Sequence, residues 1–314
     1  MRVSDLVRHA SYALVVVSLT PCAAKTETNG SPVRMEVLLQ TEGPADRPIE
    51  QPTDVAVGRD GRVYVMDGLN SRVAVFNGKG KHLFSFGSRG SETGEFSMPV
   101  GIDISPDGKV IVADTGNHRI QFFSAEGSFL WSFSLHSGPR GDPTDVCTQE
   151  TGDIVYVCDN DNHQVLAYTS RGELLQILGK RGEALGAFRY PATVTLDGKN
   201  NVCVVDALNA RVQLFDPDGK VLRQISEWGN SPGKLLRPKG VAIDGDGRVF
   251  VSDSQSGWIQ VFSSQGAYVG FVADAGGEVL RFVTPTNILF DDNGRFYVVE
   301  TRANRVRVLR IIGS

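Results

Sequence analysis

The stretch PTDVAVGRDGRVYVMDGLNSRVAVFNGKGKHLFSF, residues 52–86, reads as four short strands in succession. Pro52 to Gly58 alternates apolar and polar side chains, and Asp60-Gly61 then turns the chain, as short hairpins prefer. Val63-Tyr64-Val65-Met66 is a β-rich run that ends at an acid, Asp67. The polar loop Gly68 to Ser71 leads into Arg72-Val73-Ala74-Val75-Phe76, and a glycine-containing turn at Gly78 to Gly80 precedes Leu83-Phe84-Ser85-Phe86.

This unit recurs. A proline opens it at Pro52, Pro99, Pro143, Pro191, Pro238 and Pro285, at intervals of 47, 44, 48, 47 and 47 residues. An acid closes its second strand at Asp67, Asp114, Asp159, Asp206, Asp253 and Glu300, at intervals of 47, 45, 47, 47 and 47. Two independent markers keep one period, so there are six copies. A lone four-stranded sheet cannot bury both faces, and sheets repeating at this period stack around an axis. The sequence therefore predicts an all-β, six-bladed β-propeller of four-stranded antiparallel sheets.

The sixth copy runs out after Arg305-Val306-Arg307-Val308-Leu309, before a fourth strand. Met35-Glu36-Val37-Leu38-Leu39 precedes Gly43 and Pro52 much as His82 to Phe86 precedes Gly87 and Pro99. The N-terminal strand is expected to complete the last blade and close the ring, which removes an open edge. The propeller then spans 33–314.

Composition agrees. Hydrophobic residues make up 41% of the 314, enough for a sizeable core, and 35 glycines punctuate the turns. The net charge of −4 supplies no basic excess, and a nucleic-acid binder normally carries a basic stripe. The arginines of the loops are interleaved with Glu92, Glu95, Asp142, Glu183, Glu227 and Glu278, so their field largely cancels.

Within the repeat, Gly116-Asn117-His118-Arg119-Ile120, following Ala113-Asp114, resembles the core of the NHL repeat. Related versions are Asn70-Ser71-Arg72-Val73, Asn162-His163-Gln164-Val165, Asn209-Ala210-Arg211-Val212 and Ala303-Asn304-Arg305-Val306, while Ser256-Gly257-Trp258-Ile259 departs most. The resemblance covers residues 50–310 and implies a propeller. It leaves function open, because such propellers serve RNA binding, sensing, protein interaction and one lyase class, and fold does not fix function. Gln51-Pro52-Thr53-Asp54-Val55 is similar to a stretch of the peptidyl-hydroxyglycine amidating lyase. That likeness implies zinc-binding histidines directly after the blade-opening prolines. Those positions here are Thr53, Val100, Thr144, Ala192, Lys239 and Thr286. His118 and His163, in neighbouring blades, would still lack the third protein ligand that zinc wants.

Chain direction fixes the interactive side. Loops between second and third strands share a face with the long connections from each blade to the next, Gly87 to Met98, Ser134 to Asp142, Gly179 to Tyr190, Glu227 to Arg237 and Ala273 to Thr284. Recognition residues concentrate on such loops. The candidates for partner binding are Arg89, His118, Arg140, His163, Arg181, Tyr190, Trp228, Arg237 and Trp258. Phe96 and Phe188, each shortly before a proline, read instead as packing between blades. The recurring acids read as caps of their own loops, paired with arginines such as Arg72, Arg119 and Arg211.

Two residues after each proline the chain approaches the axis, at Asp54, Gly101, Asp145, Thr193, Gly240 and Asn287. Asp54, Asp145 and Asn287 offer an axial site for Ca2+ or another divalent cation through oxygen ligands. The alternative is hydrogen bonding to inward backbone groups.

The N-terminus reads as a targeting segment. Arg2 and Arg8 precede the apolar run Ala10 to Leu19, which is too short to span a bilayer at about 20 residues. Leu19-Thr20-Pro21-Cys22 resembles a bacterial lipobox, with Pro21 where a small residue is usual. Lipidation at Cys22 and ordinary cleavage near Cys22-Ala23-Ala24 both follow from it. Residues 1–22 are then a signal and 23–32 a polar tether. Among the remaining cysteines, Cys147 and Cys158 lie on successive strands, where a cross-strand disulfide is compatible with an oxidising compartment; the alternative is that both are small buried apolar side chains. The expectation is an exported protein, periplasmic or anchored to the outer membrane, that touches membrane only through a lipid at Cys22. It would dock a protein, peptide or glycan without catalysis and without nucleic acid. The alternative is a metal-dependent hydrolase or lactonase with the axial cation.

Overall fold

A computed structural model of the chain describes residues 30–313, apart from residues 42 and 45; Cys22 and the signal segment lie outside them. Blade one comprises Pro52–Val57, Val63–Asp67, Arg72–Phe76 and His82–Phe86, a four-stranded antiparallel meander. Blades two, three and four repeat it, opening with Ile102–Ile104, Pro143–Thr148 and Pro191–Leu196. Blades five and six open with Pro238–Ile243 and Pro285–Phe290 and join into one eight-stranded sheet.

That join comes from the N-terminal strand Val33–Thr41. It pairs antiparallel with Arg305–Ile311, from Met35 opposite Ile311 to Thr41 opposite Val306. Its first two residues also pair, in parallel, with Val272 and Ala273 at the outer edge of blade five. The eight strands are thus two blades in contact, and the ring has six. Core packing gives the same count: buried apolar side chains gather in six clusters, one between each pair of neighbouring blades. The cluster between blades six and one, with Val299 and Val306 against Val55 and Ala74, closes the circle.

Neighbouring blades cover both faces of the middle strands, so Val63–Asp67 and Arg72–Phe76 are buried at every residue. The outermost strand of a blade keeps one wet face, and burial there alternates along the chain, as in Leu174–Leu178. Gly30 to Pro32, assigned to the tether from sequence, run alongside the outer strand of blade five: a Cβ on Gly270 would stand 2.2 Å from the carbonyl oxygen of Ser31. The disulfide does not form. Cys158 lies opposite Asp145 while Cys147 lies opposite Tyr156, and both thiols are free.

Candidate functional site

The repeated acids organise the long-loop face. Each is fully buried and accepts a backbone N–H from the connection entering its blade: Glu50 to Asp67, Ser97 to Asp114, Asp142 to Asp159, Arg189 to Asp206, Leu236 to Asp253 and Val283 to Glu300. The asparagine of the motif spans the same gap. Asn117 donates to Asp114 and to Gly90 O, and Asn209 to Asp206 and Gly182 O. The arginine completes the clamp, Arg211 bonding Asp206 through Nε at 2.8 Å and the carbonyls of Ala184 and Ala187 through Nη2. These residues are spent on fixing loops, as the capping reading requires.

Three connections share one closed form. Phe96, Phe188 and Leu235 are wholly buried beneath them. A glutamine pins each loop by accepting one N–H and donating to one carbonyl: Gln121 at Gly94 and Glu95, Gln213 at Gly186 and Ala187, Gln260 at Gly233 and Lys234. Arg89, Arg181 and Trp228 occupy the same place in these loops, each bridging in parallel to the buried anchor. All three side chains are exposed, Trp228 at 72%. Met98, Leu185, Leu208 and Leu69 add exposed apolar groups from the connections and the second-to-third-strand loops.

The other candidates differ among themselves. Arg140 and Arg237 are exposed, as is Tyr190. His118 is half-buried, with Nδ1 2.5 Å from the Gly141 carbonyl. His163 is buried; its Nδ1 accepts the Tyr190 N–H, and burial together with Arg181 holds its pKa below the ordinary value. The two histidines therefore serve separate backbone groups. Trp258 lies half-buried under the Arg281 guanidinium, 4.2 Å from its ring centroid. Sequence reasoning missed the glutamines, although Arg119-x-Gln121 and Arg211-x-Gln213 repeat in phase with Trp258-x-Gln260.

Along the axis a side chain of one blade donates to a carbonyl of the next at all six junctions. Thr53 bonds Val100 O, Thr115 Pro143 O, Asn160 Pro191 O, Thr193 Lys239 O, Ser252 Thr286 O and Thr301 Pro52 O, at 2.6–2.8 Å. Asp54, Asp145 and Asn287 do meet around this channel, but their oxygens face donors. Asp54 accepts from Ile102 N, Val55 N and the Asn287 amide, and Asp145 accepts from Val194 N. Burial pushes the Asp54 carboxyl up to about 7 against these bonds, and burial plus the Asp54 charge holds Asp145 well above the usual range. Among the described residues no group of three His, Cys, Asp or Glu side chains is gathered to hold a metal. The oxygens of Asp54 and Asp145 are engaged by N–H donors, the hydrogen-bonded alternative to an axial cation. A cavity of about 180 Å3 opens from this waist towards the long-loop face, with Lys239 in its wall.

The ring is a β-propeller of six blades, and the NHL-type clamp of buried acid, asparagine and arginine stands complete in blades one, two and four. The NHL repeat model matches residues 50–76, 96–123 and 235–262, within blades one, two and five. No match was found among the curated proteins. Among solved structures the chain is similar to a streptogramin B lyase, at 13% identity and a TM-score of 0.65, over 88% of this chain and 97% of that one. A virginiamycin B lyase from Staphylococcus aureus matches at 14% identity and a TM-score of 0.62, over 86% and 83% of the two chains. A gluconolactonase from Xanthomonas campestris matches at 14% and 0.66, over 84% and 86%. At such identities the likeness is one of fold.

Proposed function

We propose that the chain is a cell-envelope binding or scaffold protein that docks a protein, peptide or glycan on its long-loop face. One observation carries this reading: equivalent, internally pinned loops present Arg89, Arg181 and Trp228 outward at the same position of three different blades. Aromatic and arginine anchors dominate binding energies, and loops already fixed by buried clamps lose little entropy on docking. Among the described residues the guanidinium groups of Arg89, Arg140, Arg181 and Arg237 make no salt bridge and no side-chain hydrogen bond, so they are available to a partner. Export, with Cys22 as a lipid anchor, is proposed from the N-terminal sequence alone. Affinity capture with wild type, Arg181→Glu and Trp228→Ala tests the docking; loss of the same partner in both variants is expected, and unchanged capture refutes it.

A second reading, turnover of a lactone or ester in the channel, is favoured by the structural likeness to lyases and a gluconolactonase. The Asp54 carboxyl near 7 is also poised for proton transfer at neutral pH. Elemental analysis and lactone hydrolysis by wild type, Asp54→Ala and Asp145→Ala decide it. Stoichiometric metal and turnover, both lost in the variants, would replace the docking reading.

A further inference from the structure

A large cavity, about 760 Å3, lies away from both sites above, between blades two and three on the face of the tight turns. Three residues before the blade acid stand Tyr64 in blade one and Ile111 in blade two. Tyr64 donates its hydroxyl to Ala125 O in the next blade's last turn, at 3.1 Å, and Arg62 reaches the same oxygen. Blade six closes its junction similarly, Arg295 bonding Gly78 O. At the second junction Ile111 has no hydroxyl to give, and Lys109 turns back to Asp107 in its own hairpin. Among the described residues no bond of this kind spans the second junction, where the cleft lies.

Its floor is apolar, made by Ile111, Val155, Phe122 and the edge of Trp131, which stacks on Phe122 at 4.0 Å. Pro106 shuts the axial end against Gly152: a Cβ on that glycine would stand 3.5 Å from the proline ring. The blade-three lip carries one acid and one base. The Ser170 N–H donates to Asp153 O at 2.9 Å, which brings Asp153 beside Arg171. Both side chains are exposed and line the cleft, yet among the described residues they form no ion pair with each other or with a third group. The facing lip adds Asp107 and Lys109, which pair with each other, so Asp153 and Arg171 are the unpaired charges beside the apolar floor. The volume lies in the range of small-molecule sites.

We propose that this cleft binds a free α-amino acid with a large apolar side chain. The side chain enters between the blades, the ammonium meets Asp153 and the carboxylate meets Arg171. Guanidinium suits a carboxylate because it can pair with both oxygens.

Calorimetric titration of the full chain with L-phenylalanine tests the assignment. Saturable one-to-one binding is expected, weakened at least tenfold by Asp153→Asn and by Arg171→Gln, surface changes that leave the fold intact. N-acetyl-phenylalanine should bind weakly and be indifferent to Asp153→Asn, and phenylalaninamide indifferent to Arg171→Gln. Ile111→Tyr, which places the blade-one residue at this floor, should abolish binding, and the two lip variants carry the test whatever its effect on Tm. Binding weaker than about 10 mM, or binding that survives both lip variants, overturns the proposal. Trp228→Ala should leave it unchanged, which separates this site from the docking face.

Discussion

Arg72 is almost wholly buried, and its Nε meets an equally buried Asp67 at 2.7 Å. Removing one member of a buried pair leaves a charge without a partner and costs about 3–5 kcal/mol. Arg72→Met should therefore lower the urea midpoint strongly. Arg189→Met breaks the surface pair with Glu183 at 2.9 Å and should cost at most about 1 kcal/mol. The channel carboxyls make a prediction about pH. Asp54 is held near 7 in the fold, against about 3.9 in an unfolded chain. Between these values the folded state keeps a proton that the unfolded state has released. The stability it contributes is complete below about 4 and is lost as pH rises through 7. Unfolding midpoints between pH 4 and 8 should fall more steeply for wild type than for Asp54→Asn; parallel curves would show that Asp54 does not titrate in this range. Asp103, pushed up to about 6 by burial, adds to the same slope.

Among the elements, the blades are the most legible part of the sequence, because proline and acid mark each one in phase. The long-loop face is legible too. In every blade a backbone N–H just past the acid bonds the carbonyl of a residue entering that blade, as Leu208 does with Arg189 and Ser254 with Arg237. What stays hidden depends on side-chain direction. Whether Asp54 faces a cation or the Ile102 N–H is set by blade-to-blade geometry that no local pattern encodes. Cys147 and Cys158 are close enough in sequence to pair, but register places Cys158 opposite Asp145. The inter-blade cleft is hidden for another reason: it depends on how the turns of blades two and three meet. At this scale, Gln213→Ala should free the loop at 179–190 by removing its bonds to Gly186 and Ala187. A loss of about 1–3 kcal/mol is expected, with faster tryptic cleavage at Arg181; unchanged cleavage would mean that Phe188 and the Asp206–Asn209–Arg211 clamp hold the loop without the glutamine.

For the molecule as a whole, six junctions must all be made for every blade to be covered on both faces. The junction between blades five and six and the outer edge of blade six both depend on Val33–Thr41, which brings Val33 and Met35 into the core. Met35→Ala should cost about 2–5 kcal/mol, as much as a change in the middle of a blade, although it lies near the start of the described chain. Rigid closure is also what holds Arg89, Arg181 and Trp228 at fixed positions around one face. Hydrogen exchange over the full chain tests that closure most directly. Amides of 35–41 should be as protected as those of Arg305–Ile311 and open with them in one cooperative step. Exchange of 35–41 within seconds, while the other blades remain protected, would contradict a ring sealed by the two ends of the chain.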